Sequence, residues 1–388
     1  MLHTPQFSNI VRAISDPNAR SVIAFDNVTI PEQKSIILGP EIGVLDTVSV
    51  IHKNIADEFK SFKRNDWVWW EFEFERCQPQ WHTVPKHEYD KMVKTIAWQW
   101  EGDTAATMAM LNIVGSFITE PASLEYETRI IDNEVVHGRT YGDMASASFT
   151  DPQAIKREIL SAEAVRTRLE PITKALEVVV RVGAEYRLGL RKNDLDTYTY
   201  GLFYEVIMLI LEKIQFNPSF LMTHLLTSSG RFQPISSAVQ KIAVDELVYH
   251  VPHRMRVISN ELETERGQLA WKAIKPVAQW MFNLVVESEL DWLESHIFAD
   301  GKELPGGNLT IAQMYTKHCA YPVAKFLGLD SDHELIERNP VSSMDAWLEI
   351  DGRQVSPQDE KGNNYLLMQV VDRGTPEERT NSLSSLLD

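Results

Sequence analysis

Apolar positions along this chain recur mostly every three or four residues, the period of helices that bury one face. The series Val48, Ile51, Ile55, Phe59, Phe62 predicts a first amphipathic helix. The aromatic cluster with alternating acids over 67–75 predicts a short strand or extended turn, or a rim of core aromatics. Pro85 stands where a helix begins, and that helix or its continuation carries Asp103 and then 104–118, apolar nearly all round and so predicted to be buried. Pro121 precedes another helix, and Thr150-Asp151-Pro152 joins a cap residue to a proline at the start of a long one over 154–182. The stretch 200–215 is strongly apolar, and Asn217-Pro218 behind it predicts a kink. Further helices are predicted over 236–261 and, with Pro276 inside, over 264–298.

The pattern predicts an all-α protein with a helical body over 47–338. Ahead of it, residues 1–46 hold Pro5, Pro17, Pro31 and Pro40 and read as an arm without a long helix. Behind it, 339–388 turn to Ser, Asp, Gly, Pro and Asn and read as a flexible tail. Within that tail, Tyr365-Leu-Leu-Met-Gln-Val-Val is an apolar island of the kind that orders on a partner. Charge narrows the partners. With 38 basic against 55 acidic residues, a net charge of −17 and no Lys/Arg block, nucleic acid and anionic membrane are disfavoured. No apolar run reaches the roughly 18 residues that a bilayer span needs, and no leader pattern opens the chain, so a cytoplasmic location is expected. Cys77 and Cys319 are the only cysteines, which excludes a Cys-rich zinc module and argues against an intrachain dithiol reductase. Thiol chemistry would come from another chain.

The chemistry centres on Asn133–Tyr141. There Glu134, His137 and Tyr141 share one helix face, and Glu-x-x-His is a metal-ligand pair as well as an ordinary surface or capping pair. Other acids sit on otherwise apolar helices: Asp103, Glu212, and Glu246 with His250. Each buried unpaired carboxylate costs at least several kcal/mol, and those stretches hold no matching set of bases. Two metal ions would resolve the imbalance. Bundles that bind two iron or manganese ions use a carboxylate from each of two helices and a Glu-x-x-His from each of two others. Oxygen and imidazole donors suit those metals.

From about Trp67 onward the chain resembles the small, radical-generating subunit of class I ribonucleotide reductase. The resemblance runs through Pro85-Lys-His-Glu, Asp103, Pro121, Glu134-Val-Val-His-Gly-Arg-Thr-Tyr141 and Thr150-Asp-Pro. It continues through Leu211-Glu-Lys-Ile-Gln-Phe216, Phe220, Ile242-Ala-Val-Asp-Glu246, Trp292, Ile297-Phe-Ala-Asp-Gly301 and the tail peptide at Tyr365. It implies a ferritin-like helical bundle and a homodimer that works with a large catalytic subunit reached through the C-terminal tail. It implies that Asp103, Glu134 and His137 hold one metal, that Glu212, Glu246 and a histidine hold the other, and that a glutamate bridges them. The ions would be iron, with manganese or a mixed pair as alternatives. Activation of oxygen would leave a radical on Tyr141, shielded by Phe216, Phe220 and Ile242, which are equally ordinary core residues. The hole would pass through Trp67, held by Asp245, to Tyr365, and the large subunit would reduce ribonucleotides to deoxyribonucleotides. The cytoplasm, or a host's cytoplasm for a viral member, is the implied location.

Two departures leave alternatives open. The residue three after Glu246 is Tyr249, so His250 would ligate through a bulged turn, with His253 second in line. Pro218 suggests a distortion beside Glu212, and Glu205, seven positions before Glu212, competes with it. Trp69 and Trp70 likewise compete with Trp67. The rival function is a ferritin-like oxidase or oxygenase acting on a small or lipid substrate, and a more distant one is a helical iron-storage or scaffold protein.

Overall fold

Proline and polar caps open the helices largely where the pattern puts them. The computed structural model describes Asp16, residues 35–40, Gly43, and residues 45–149, 151–160 and 163–349, and no strand occurs among them. Helix α1 (Lys53–Arg64) leads through 3-10 turns at Trp69–Glu71 and Phe74–His82 into α2 (Lys86–Phe117). Glu120 caps α3 (Pro121–Ser148) by accepting the Ser123 N–H at 2.7 Å, with Pro121 in the first turn. Next come α4 (Pro152–Leu160) and α5 (Glu163–Arg187). Asp194 caps α6 (Leu195–Ile210), which runs on into α7 (Phe216–Thr227), as α8 (Gln233–Val244) runs on into α9 (Val251–Leu262). The order ends with α10 (Glu265–Asp291), α11 (Leu309–Leu327) and α12 (Ser342–Leu348). Helix α2 packs along α3, α5 and α7, and α6 packs along α9 and α10. Their inward faces form a single apolar core.

Three turns are wider than an α-helix. At Leu211–Gln215, Asp245–His250 and Trp292–Ile297 the chain is π-helical, with the N–H groups of Phe216, Val251 and Phe298 reaching carbonyls five residues back. Two of them have a proline close behind. Pro218 and Pro252 carry no N–H, so the carbonyls four residues back lose their α-helical donor and the wider register costs less. The Asn217 side-chain amide donates to the carbonyls of Glu212 and Lys213 at 3.2 and 3.0 Å. The irregularity expected at Asn217-Pro218 is thus realised just upstream as a π-turn.

Other expectations change. The helix predicted from Val48 begins only at Lys53, because Asp46 Oδ1 accepts the N–H groups of Val48 and Ser49 and closes a turn that leaves Val48 93% exposed. Residues 67–75 lie in 3-10 turns and connecting chain, with no partner strand to supply ladder bonds. The 104–118 face is open on one side, with Met108 and Leu111 exposed. The long helix predicted over 154–182 is divided into α4 and α5. Helix α11 lies where no helix is predicted, and α12 lies within the stretch read as tail. There Trp347 packs against His224, ring centroids 5.3 Å apart, and its carbonyl accepts from Gln240. Tyr365 and most of the arm 1–46 fall outside the described residues.

Two contacts fix the neighbourhood of the first π-turn. Arg168 of α5 is buried between the indoles of Trp98 and Trp292, 3.5 and 3.7 Å from the ring centroids. It pairs with Glu289 and donates to the Gln215 carbonyl at 2.9 Å, tying the turn to α10. Gly102 lets α2 approach α7: a Cβ there would lie 2.6 Å from Phe216 Cε1. Gly102→Ala should therefore destabilise the fold by about 1–3 kcal/mol through overpacking. The check is a lower urea midpoint at unchanged slope.

Candidate metal centre

Asp103 on α2, Glu134 and His137 on α3, Glu212 in the first π-turn, and Glu246 and His250 in the second are all buried. They form two groups that share Glu134: Asp103, Glu134 and His137, and Glu134, Glu212, Glu246 and His250. Within each group the candidate ligand atoms lie within 4.8 Å of one another. Glu134 and His137 meet because three residues make nearly one α-turn. Glu246 and His250 meet, with Oε2 and Nδ1 3.2 Å apart, because the π-turn brings the fourth residue back to the same face.

Glu134 and Glu246 each span the two histidines. Glu134 Oε2 lies 3.6 Å from His137 Nδ1, and its Oε1 lies 3.5 Å from His250 Nδ1. Glu246 Oε1 lies 3.5 Å from His137 Nδ1, and its Oε2 faces His250. Asp103 stands on the His137 side at 3.7 Å, and Glu212 is grouped with His250.

The outer partners set the imidazole tautomers. Asn133 Nδ2 donates to Asp245 Oδ2 at 2.9 Å, so its Oδ1 faces His250 Nε2, also at 2.9 Å, and that nitrogen carries the proton. His137 Nε2 faces Asp245 Oδ2 at 3.3 Å and is likewise the protonated nitrogen. Each ring therefore presents Nδ1 to the carboxylates, as a metal-binding histidine held from behind does.

The acids hold protons or lean on the histidines. Burial and then the charges of Glu134, Glu246 and Glu212 push Asp103 well above the usual carboxylate range. Burial and Glu134 do the same to Glu246, and burial raises Glu212 to about 8 against the pull of Arg254. For Glu134, burial is outweighed by the nearby His137 and His250, which hold it at about 2. For His137, burial is outweighed by Asp245 and Glu134, which raise it to about 10.

A pair of metal ions fits these residues. Asp103 Oδ2, both oxygens of Glu134, Glu212 Oε2, Glu246 Oε1 and His137 Nδ1 are buried without a hydrogen-bond partner, an arrangement too costly to keep unless something binds there. Binding must expel the protons that Asp103, Glu212, Glu246 and His137 otherwise hold. Divalent-metal affinity should therefore fall as pH falls below about 10, the level to which His137 is raised, and more steeply below about 8, where Glu212 also takes a proton. Calorimetry at neutral pH in buffers of different ionisation enthalpy should report net proton release on binding.

The structure also places the other candidates. Tyr141 is buried, its hydroxyl has no hydrogen-bond partner, and burial followed by the charges of Asp103, Glu246 and Glu134 keeps it firmly a neutral phenol. Trp67 Nε1 donates to Asp245 Oδ2 at 2.6 Å, and its ring lies nearly parallel to His137 at 5.9 Å. Trp69 and Trp70 instead pack edge to face on each other, with Trp70 largely exposed. Phe216, Phe220 and Ile242 are fully buried, and the two phenyl rings stack at 6.1 Å. Glu205 and His253 stand apart from both ligand groups: Glu205 lies 3.3 Å from Arg254, and His253 lies 3.1 Å from Glu127. Sequence reasoning missed Asn133 and Asn65, the latter donating to Asp245 Oδ1 at 3.1 Å. Asn133 directly precedes Glu134 in the stretch already singled out, and only its cross-helix partners reveal its part. A cavity of about 830 Å³ lies between α2 and the α4–α5 segment, lined by Trp100, Met108, Arg166 and neighbours, and none of its lining residues is a candidate ligand.

The chain is similar to known proteins in sequence and in fold. The family described as "Ribonucleotide reductase, small chain" matches residues 47–340. Among its relatives, the ribonucleoside-diphosphate reductase 1 subunit beta of Escherichia coli O157:H7 is 22% identical over 335 residues, covering 83% of this chain and 87% of that protein. The corresponding subunit of Enterobacteria phage T4 is 21% identical over 317 residues, covering 75% and 80%. In fold, the ribonucleotide reductase R2 subunit from Clostridium botulinum superposes with a TM-score of 0.71 at 17% identity, over 82% of this chain and 95% of that one. The dimanganese(II) NrdF of Streptococcus sanguinis superposes with a TM-score of 0.59 at 14% identity, over 78% and 99%. The all-α, ferritin-like architecture is therefore that of the R2 subunits, and with most of its length matched the chain belongs to the ribonucleotide reductase small-chain family.

Proposed function

We propose that the chain is the radical-generating subunit of a ribonucleotide reductase, with Tyr141 as the residue oxidised and a separate large subunit as the site of nucleotide reduction. The observation that carries this reading is the convergence of unpartnered ligand atoms from Asp103, Glu134, His137, Glu212 and Glu246 in a buried space. Two ions bound there, iron in our assignment and manganese or a mixed pair as alternatives, would supply the activation of dioxygen and the oxidising equivalents. Asp103 and His137 would serve one ion and Glu212 and His250 the other, with Glu134 and Glu246 between them.

Tyr141 gives up one electron and the phenolic proton. Both would be taken up at the dimetal centre, whose carboxylates Asp103, Glu246 and Glu134 act on that phenol. Burial keeps water and reductants from the ring, with Phe216, Phe220 and Ile242 as the proposed apolar shield. Trp67, whose indole N–H is held by Asp245, is the proposed relay. It would pass the hole to Tyr365 in the tail 339–388 and so to a cysteine of the large subunit, since Cys77 and Cys319 are buried here with thiols pushed up to about 11 and about 12 by burial. We assign a homodimer and a cytoplasmic location, in keeping with the lack of a membrane-crossing helix among the described residues.

The test is electron paramagnetic resonance with metal analysis on protein loaded anaerobically and then exposed to air. A tyrosyl-type signal supports the reading. Two bound ions with oxygen consumption and no protein radical would favour a metal-only oxidant or the oxidase. Deleting residues from 364 onward should reduce association with the large subunit to background in a pull-down or calorimetric titration, while metal content stays at the full-length level. Full affinity after truncation would sink the tail assignment.

A further inference from the structure

Two helical turns along the bundle from the ligands lies a second ring of buried side chains. Glu127 precedes Glu134 by seven positions, Glu205 precedes Glu212 by seven, and Met110 and His253 follow Asp103 and Glu246 by seven. Seven residues are close to two turns, so each helix presents both members of its pair to the interior. All four of these side chains are fully buried.

The cation in this ring is a guanidinium. Arg254, also fully buried, pairs with Glu127, lies 3.3 Å from Glu205 Oε2 and donates to Met110 Sδ at 3.3 Å. Its Nε and Nη2 both reach Glu212 Oε1 at 3.4 Å. Glu127 is itself held, by the Tyr204 hydroxyl at 3.2 Å and by His253 Nε2 at 3.1 Å. His253 in turn stacks on Tyr126 with ring centroids 4.1 Å apart.

Glu212 consequently has two unlike oxygens. Oε1 is taken by the guanidinium, and Oε2 is buried with no hydrogen-bond partner. Glu134 and Glu246 differ, since each turns one oxygen to each histidine. We propose that Arg254 is a positioning residue of the metal centre: by holding Oε1 it makes Glu212 a terminal ligand through Oε2 alone, on the His250 side. A carboxylate without such an outer hold is free to turn and chelate with both oxygens, and a planar guanidinium fork restrains it in a way that an ammonium does not. Glu127, Glu205 and His253 keep the fork in place. This inference rests on the dimetal reading of the same site.

The experiment is an anaerobic titration of the full-length protein with Mn(II), followed by calorimetry for affinities and by electron paramagnetic resonance for coupling between the ions. Removing Arg254 alone would strand Glu127 as a buried charge, so the main variant is Arg254→Gln with Glu127→Gln, and Arg254→Lys keeps the charge without the fork. The wild type should take up two coupled ions. The double variant should lose affinity about 10–100-fold in one binding step, the range for outer partners of metal ligands, and leave the other step unchanged. Arg254→Lys should fall between, with an altered coupling signal. Equal weakening of both steps would mark Arg254 as merely structural, and two unweakened steps in both variants would overturn the proposal outright. Should the double variant fail to fold, Arg254→Lys with both steps unweakened overturns it alone. A wild type that binds no pair of ions would refute the dimetal reading itself, and this inference with it.

Discussion

Tyr141→Phe should bind the same two metal ions as the wild type yet show no protein radical, and nucleotide reduction with the large subunit should fall to background. The removed atom is a buried hydroxyl with no hydrogen-bond partner, so its loss sheds an uncompensated polar group and leaves the ring packing in place. The change in stability should stay within about 1 kcal/mol of zero, with stabilisation the favoured sign. That separates chemistry from folding. Metal analysis, thermal unfolding and the radical signal, measured on one preparation, decide it. Reduction retained in the phenylalanine variant would assign the oxidant to another residue or to the metal centre.

Glu134→Ala should be the most damaging single change to metal binding. Like Glu246, Glu134 faces both histidines, Oε2 toward His137 and Oε1 toward His250, but unlike Glu246 neither of its oxygens has a hydrogen-bond partner. On the proposed dimetal reading, its removal would take a donor from both ions at once. Loss of an outer partner alone costs 10–100-fold, so loss of a shared ligand should lower affinity by more than about a hundredfold at both positions. Metal content after desalting should then fall far below that of the wild type. Asp103→Ala removes a donor only from the His137 side, so it should spare the other ion. Two tightly held ions in Glu134→Ala would show that the shared geometry is not used.

Much of this centre is legible in the sequence because acids on apolar helices are conspicuous. Asp103, Glu134, Glu212 and Glu246 can be picked out that way, His137 follows from its spacing to Glu134, and the structure brings all five together. The choices left open are harder for a definite reason. Glu205 against Glu212, and His253 against His250, are pairs on nearly one face of a regular helix. Each falls at or beside a π-turn, which adds a residue to the turn and rotates everything after it. Periodicity presumes one register and does not register such a shift. Asn133 and Arg254 are hidden differently, since their partners come from other helices. The seven-residue recurrence of acids, Glu127 with Glu134 and Glu205 with Glu212, is the signal that would have pointed to the second ring. At the N-terminal end, Val48 continues a helical period by chance in a segment whose backbone Asp46 turns aside.

The clamp of Arg168 on two indoles bears on where electrons can travel. Taking an electron from an indole leaves a cation, and a guanidinium 3.5 or 3.7 Å from the ring centroid opposes that by on the order of a few kcal/mol, even after partial compensation by Glu289. Trp98 and Trp292 are therefore poor stepping stones for a hole. Trp67 meets the opposite field: its N–H rests on the Asp245 carboxylate at 2.6 Å, which favours the oxidised ring and can take its proton, while the nearby Lys241 is occupied by Glu71. Among these three buried indoles, one arginine opposes oxidation of two and one aspartate favours it at the third.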